Sequence, residues 1–225
     1  GCSTQEFGGL CQWLIQAINL VTGNFDRPGG AMLTTPAVDA VNAPLGLGIG
    51  RGSFGRWSSR VRGLPEHNGE LPVAVLAEEM LTEGEGQVKA LITSAGNPVV
   101  STPNGGQLDR AIAGLEHVVC VDFYVNETTR HASVILPPPS PLERPHYDVA
   151  FHHLAVRNTA KYAPPLFAPK GMPEHRILIE LVERLERRRR TLTAGKRVRY
   201  AAMKRLGPEA IVDLVDDQRG PGAGV

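Results

Sequence analysis

The chain has 225 residues, 42% hydrophobic and 21% charged, enough to bury the core of one domain or a little more. Its 24 Lys and Arg against 23 Asp and Glu leave a formal charge of +1, so nothing in the balance calls for a nucleic acid or a membrane surface as partner. No apolar run is long enough to span a bilayer, and the first residues lack the basic start, apolar core and small-residue cleavage site of a signal peptide. The opening "GCSTQEFGG" reads as the middle of a longer chain, and a cytoplasmic location is expected, with export left open because a signal would precede Gly1. The three cysteines, Cys2, Cys11 and Cys120, have no C-x-x-C spacing, which implies neither a zinc site nor a redox pair.

Between Gln5 and Val21, apolar Leu10, Trp13, Leu14, Ala17, Ile18 and Val21 recur every three or four residues. That is the stripe of an amphipathic helix packed on something large. Gly23 and Asn24 suit its C-terminal cap, and Pro28-Gly29-Gly30 keeps it from resuming. Residues 34–69 have no sustained period and are expected to form a long loop made basic by Arg51, Arg56, Arg60 and Arg62. Those arginines either decorate a solvated loop or meet phosphates or acidic neighbours. "GLGIGRGSFG" inside it lacks a preceding apolar strand and is not read as a phosphate loop.

Leu71 to Leu81 predicts a helix opening near Pro72. After it the pattern alternates: "VKALITSAG" a strand, "NGGQLDRAIAGL" a helix, "HVVCVDFY" a strand holding a buried Cys120, "NETTRHA" a short polar helical turn, "SVILP" a third strand. Near-continuous apolar strands separated by helices predict an α/β fold: a Rossmann-like, mostly parallel sheet with helices on both faces. Residues 142–169 read as extended and turn-rich, and His152-His153 there lacks a third ligand at metal spacing. "MPEHRILIELVERLERRRR" predicts a helix with Ile177, Leu178, Leu181, Val182 and Leu185 on one side and Arg187 to Arg190 complementing its C-terminal dipole. Short helices over 197–206 and 208–215 follow. The expected division is an α/β region over 1–170 and a helical extension over 171–225 leading toward a further domain.

In an open parallel sheet, ligands bind beyond the carboxyl ends of the strands. Gly96 and Asn97, in "SAGNP", lie at one such end, and Asp122 lies at the next. Glycine there lets a ligand approach the backbone, Asn97 offers an amide, and a carboxylate can accept the N1 and N2 edge of guanine or bind ribose hydroxyls. A strand-end Asp often just caps the next helix. No G-x-S-x-G elbow supports a Ser-His-Asp hydrolase.

"GCSTQEFGGLCQWLIQAINLVTGNFDRPGGAM", "VKALITSAGNPVVSTPN" and "HVVCVDFYVNETTRHASVILPPPSPLER", in that order, resemble the middle of a molybdopterin oxidoreductase of the dimethyl sulfoxide reductase family, which includes formate dehydrogenases and nitrate reductases. The resemblance covers roughly residues 1–144 and implies a bis-molybdopterin guanine dinucleotide cofactor, with molybdenum carrying a two-electron oxidation or reduction of a small substrate. It implies further that Gly96, Asn97 and Asp122, with Val121 beside them, hold the guanosine end, and that Gln5 and Thr4 approach the pterin. A [4Fe-4S] cluster is expected in an N-terminal part upstream of these residues, and a redox partner or electron-transfer subunit beside the whole enzyme. The chain departs from many relatives in lacking a residue at the family's molybdenum-ligand position and the E-G-R turn after the V-I-L-P strand, having "HYDVAFHHLAVRN" instead. The isolated segment is therefore expected to be inactive, and the subfamily stays open. A different class, a non-catalytic guanine-nucleotide-binding or interaction module, would use the same crevice.

Overall fold

A computed structural model of the chain describes residues 1–33, 53–148, 151 and 161–217. Arg51 and His152-His153 lie outside the described residues. A short 3-10 turn, Cys2–Thr4, leads into α1, Gly8–Val21, which ends at Gly23 in the left-handed conformation (φ 70°). The helix carries no charged side chain, and its stripe is largely uncovered: Trp13 is 65% and Val21 81% exposed.

Part of the segment read as a loop forms a hairpin. β1, Phe54–Ser58, pairs antiparallel with β2, Pro65–His67. The alternation of the two strands is too short and too polar to announce them, and what holds them is a charge. Glu66 is buried, and its carboxylate accepts hydrogen bonds from the Ser53 hydroxyl and from the Arg56 and Gly69 amides. Burial alone would push this carboxyl up, but the three donors outweigh it and hold the group below its ordinary value of 4.5. Because the folded value is the lower one, this stabilisation is complete above about 4.5 and is lost as pH falls through the depressed value. Glu66→Gln is expected to remove that acid transition from amide exchange of residues 54–67, a profile measurable by hydrogen exchange against pH. Two of the loop arginines do meet acidic neighbours. Arg60 pairs with Glu79 (3.3 Å) and Arg62 with Glu78, both on α2, Leu76–Leu81, which follows a 3-10 turn over Val73–Val75.

The sheet comes next: β3 (Ala90–Ser94), β4 (His117–Val121) and β5 (Val134–Ile135), all parallel, with β4 in the middle. The short α3 (Pro98–Ser101) and then α4 (Gly105–Ala113) cross from β3 to β4, and a 3-10 turn, Thr129–His131, leads from β4 to β5. In-register pairing of Leu91 with Val118 and Thr93 with Cys120 turns one face of β3 and β4 toward α4 and α2. There Ala77, Met80, Leu108, Ala111, Ile112, Val118 and Cys120 form the core, with Leu91 and Ile135 at its margin. Burial of its Leu, Ile, Val and Met side chains contributes roughly 1.5–3 kcal/mol each. The thiol of Cys120 is buried among them. On the opposite face Ile92 remains half-exposed.

β6 (His146–Tyr147) and β7 (Tyr162–Ala163) make a small antiparallel pair. Then α5, Glu174–Arg188, packs against α6, Ala194–Asp217. The two short helices read from sequence appear as one run broken at Gly207 (φ 70°), immediately before Pro208, which has no amide hydrogen to continue the ladder. Their seam is ionic. Lys204 of α6 reaches both Glu180 (2.7 Å) and Glu183 of α5, and these donations hold both carboxyls below the usual range. Glu186 accepts from Lys196 (2.6 Å) and from the Tyr200 hydroxyl (3.1 Å). Among the described residues no helix is long and apolar enough to cross a membrane.

Candidate functional site

Parallel register brings the C-terminal ends of β3 and β4 side by side, Ser94 opposite Val121, and the chain leaves both strands toward the same end of the sheet. After Ser94 the backbone turns sharply: Ala95 is left-handed (φ 51°), unusual for a residue with a side chain, and its amide donates to the Val121 carbonyl (3.0 Å). Gly96 follows in ordinary backbone conformation, and a Cβ placed on it would meet nothing nearer than 3.8 Å. The fold does not require glycine there. Gly105, at the start of α4, is the opposite case: a Cβ would lie 1.9 Å from the Val99 carbonyl oxygen, so its bareness serves packing between α3 and α4.

Asn97 is half-buried and its amide is occupied at both ends. Its Nδ2 donates to Glu127 Oε2 (2.7 Å), and its Oδ1 accepts from the Thr128 hydroxyl (2.8 Å). Thr128, fully buried, accepts in turn from the Val99 amide (3.1 Å). The amide beside it holds Glu127 below the usual carboxylate range, so that exposed side chain is anionic at neutral pH.

Asp122 is 8% exposed. Its Oδ1 accepts from the Tyr124 amide (2.9 Å), while among the described residues Oδ2 has only a long contact from Asn126 Nδ2 (3.5 Å). Asn126 organises the loop beyond: its Oδ1 accepts from the Thr128 and Thr129 amides (2.9 Å each), and its own amide donates to Thr129 Oγ1 (2.7 Å). Val121 is fully buried, and its carbonyl is taken by the Ala95 amide (3.0 Å), so it supports the strand ends from within. The structure thus brings Gly96, Asn97, Val121 and Asp122 together.

Thr4 and Gln5 stand apart from this group by their bonding. Thr4 Oγ1 donates to the Gly1 carbonyl (3.2 Å), and Gln5 bonds to Cys2, Phe7 and Cys11, so among the described residues their hydrogen bonds stay inside the entry to α1. Sequence reading missed Glu127, Thr128 and Asn126 as site residues. The signal for Asn126 was legible in "NETT", because an Asn two and three residues before amides it can cap is a turn-forming pattern. The Asn97 contact, thirty residues away along the chain, is tertiary and has no local signature.

His131 belongs to a separate cluster, with Nε2 2.7 Å from Asp109 Oδ1; that contact, with Arg130 NH2 on both oxygens (2.7 and 2.8 Å), holds the Asp109 carboxyl low and ties α4 to the turn before β5. Among the described residues no group of three or more His, Cys, Asp or Glu could hold a metal ion.

No protein-family model matches the chain. Over 79 residues it is 39% identical to the assimilatory nitrate reductase catalytic subunit of Bacillus subtilis, covering 34% of this chain and 11% of that protein. Over 182 residues it is 24% identical to the probable oxidoreductase YyaE of Bacillus subtilis, covering 79% of this chain and 25% of that one. Over 209 residues it is 24% identical to a trimethylamine-N-oxide reductase of Vibrio parahaemolyticus, covering 82% and 25%. These relatives are oxidoreductases. The chain spans a quarter or less of the length of each.

Proposed function

We propose that the chain is the cofactor-binding part of a molybdenum-dependent oxidoreductase, and that the ends of β3 and β4 hold the guanosine end of a bis-molybdopterin guanine dinucleotide. One observation carries the reading: the bare, sterically unneeded Gly96 follows the end of β3, and the neighbouring strand β4 runs out into a buried carboxylate with an under-used oxygen, Asp122 Oδ2. An acceptor of that kind suits a planar pair of N–H donors, and an open backbone suits the approach of a ribose or diphosphate. These residues fit the group. When bound, the cofactor supplies a metal centre able to exchange two electrons with a small substrate. The chain's own residues bind and orient: Asp122 accepts, Gly96 leaves room, and Asn97 fixes the turn through Glu127 and Thr128 instead of reaching for the ligand. The names of the relatives favour reduction of an oxyanion or N-oxide over formate oxidation. An iron–sulfur cluster and an electron-transfer partner belong to the complete enzyme in this reading.

The test uses the complete polypeptide that contains these residues. After acid extraction it should yield molybdenum and guanine nucleotide, about two per metal for a bis-dinucleotide cofactor. Absence of both from protein made with molybdate present sinks the proposal. Gly96→Ala should leave the unfolding free energy within about 0.5 kcal/mol of the parent while lowering molybdenum content. Gly105→Ala supplies the contrast, losing stability because Val99 must move.

A further inference from the structure

The reading above gives the ligand a nucleobase acceptor but no counter-charge, and a dinucleotide carries an anionic diphosphate that asks for charge-assisted donors. Two arginines flank β5, Arg130 before it and Arg144 after it. Arg130 is committed to both oxygens of Asp109. Arg144 is not. It lies just after the 3-10 turn Pro141–Glu143 that follows β5, its side chain is 46% exposed, and it spends NH1 on Glu174 Oε2 (3.1 Å). Among the described residues its Nε and NH2 have no hydrogen-bond partner.

The carboxylate that holds Arg144 is itself anchored to the site. Glu174, in the first turn of α5, accepts the Ser94 hydroxyl on Oε1. Ser94 is the last residue of β3, two before Gly96. One carboxylate therefore tethers the guanidinium to the strand end, holding Arg144 through NH1 on Oε2 while Ser94 engages Oε1. The rest of the guanidinium fork stays open, in the geometry that matches two phosphate oxygens.

We propose that Arg144, positioned by Glu174 and Ser94, is the cation that receives the phosphate groups of the nucleotide bound at the ends of β3 and β4. The assignment rests on the strand-end reading, and the experiment separates the two. Complete polypeptide freed of cofactor is titrated with GDP and with guanosine, for the parent and for Arg144→Gln and Arg144→Lys. The parent should bind GDP more tightly than guanosine, with the GDP affinity falling as salt is raised. Arg144→Gln should weaken GDP about 10- to 100-fold, leave guanosine within about twofold and flatten the salt dependence, since charge-assisted bonds are the ones removed. Arg144→Lys should restore part of the GDP affinity, as a point charge without the fork. If Arg144→Gln keeps the preference for GDP, or weakens both ligands equally as a merely structural clamp would, the assignment of Arg144 is overturned while the strand-end site stands. If the parent binds neither GDP nor guanosine, both fall.

Discussion

Asp122→Ala should strip most of the proposed cofactor from the complete polypeptide. Two effects act together. The substitution deletes the acceptor proposed for the guanine edge, and it leaves the Tyr124 amide without the oxygen that caps it. Losing hydrogen bonds to a buried, charged acceptor costs about 1.5–3 kcal/mol, so cofactor retention should drop by roughly tenfold to a hundredfold. Molybdenum and guanine nucleotide per polypeptide, measured after desalting, report the first effect, and the thermal midpoint reports the second. Asp122→Asn divides them. An asparagine oxygen still caps Tyr124, so the midpoint should largely recover, whereas an amide presents a donor where guanine needs an acceptor, so retention should not. Full retention in Asp122→Asn would remove Asp122 from the binding assignment and leave it as a turn residue.

Thr128→Val should cost about 1–3 kcal/mol of stability although the two side chains have nearly the same shape. The hydroxyl of this buried residue is both donor and acceptor, to Asn97 Oδ1 and from the Val99 amide, and valine leaves both partners without it in a place water reaches poorly. The loss is local first. Asn97 loses one of the two contacts that fix its amide, so exchange of the amides of residues 95–101 should accelerate before global unfolding, which hydrogen exchange can resolve. Thr128→Ser keeps the hydroxyl and should recover most of the protection. A Val variant with unchanged midpoint and unchanged exchange would show that water or a neighbour replaces the hydroxyl.

The sheet was legible because its strands are buried: an unbroken apolar run such as "HVVCV" allows few alternatives, and the helix between two such runs sets a parallel crossover. The hairpin over 54–67 was hidden for the converse reason, since Glu66 reads as a surface charge and becomes structural only when Ser53, Arg56 and Gly69 donate to it. At the site, Gly96 and Asp122 stood out because glycine and a lone acid interrupt apolar segments at positions the fold class makes meaningful. What could not be read was how Asn97 is spent. Its partners Glu127 and Thr128 come from the next strand's loop, and only the folded register brings them within reach. The stripe on α1 was legible as well, but it marks a surface without naming what lies against it.

The doubly engaged amide of Asn97 has a bearing on ligand affinity. Carbonyl oxygen and amino nitrogen cannot trade places: a flipped amide would set its oxygen against the Glu127 carboxylate and take from the Thr128 hydroxyl proton its acceptor. The turn after β3 therefore exists in one rotameric state before anything arrives, its conformational entropy surrendered during folding. A molecule that docks along Gly96 meets a turn already ordered at Asn97, so that part of the ordering cost does not subtract from its affinity.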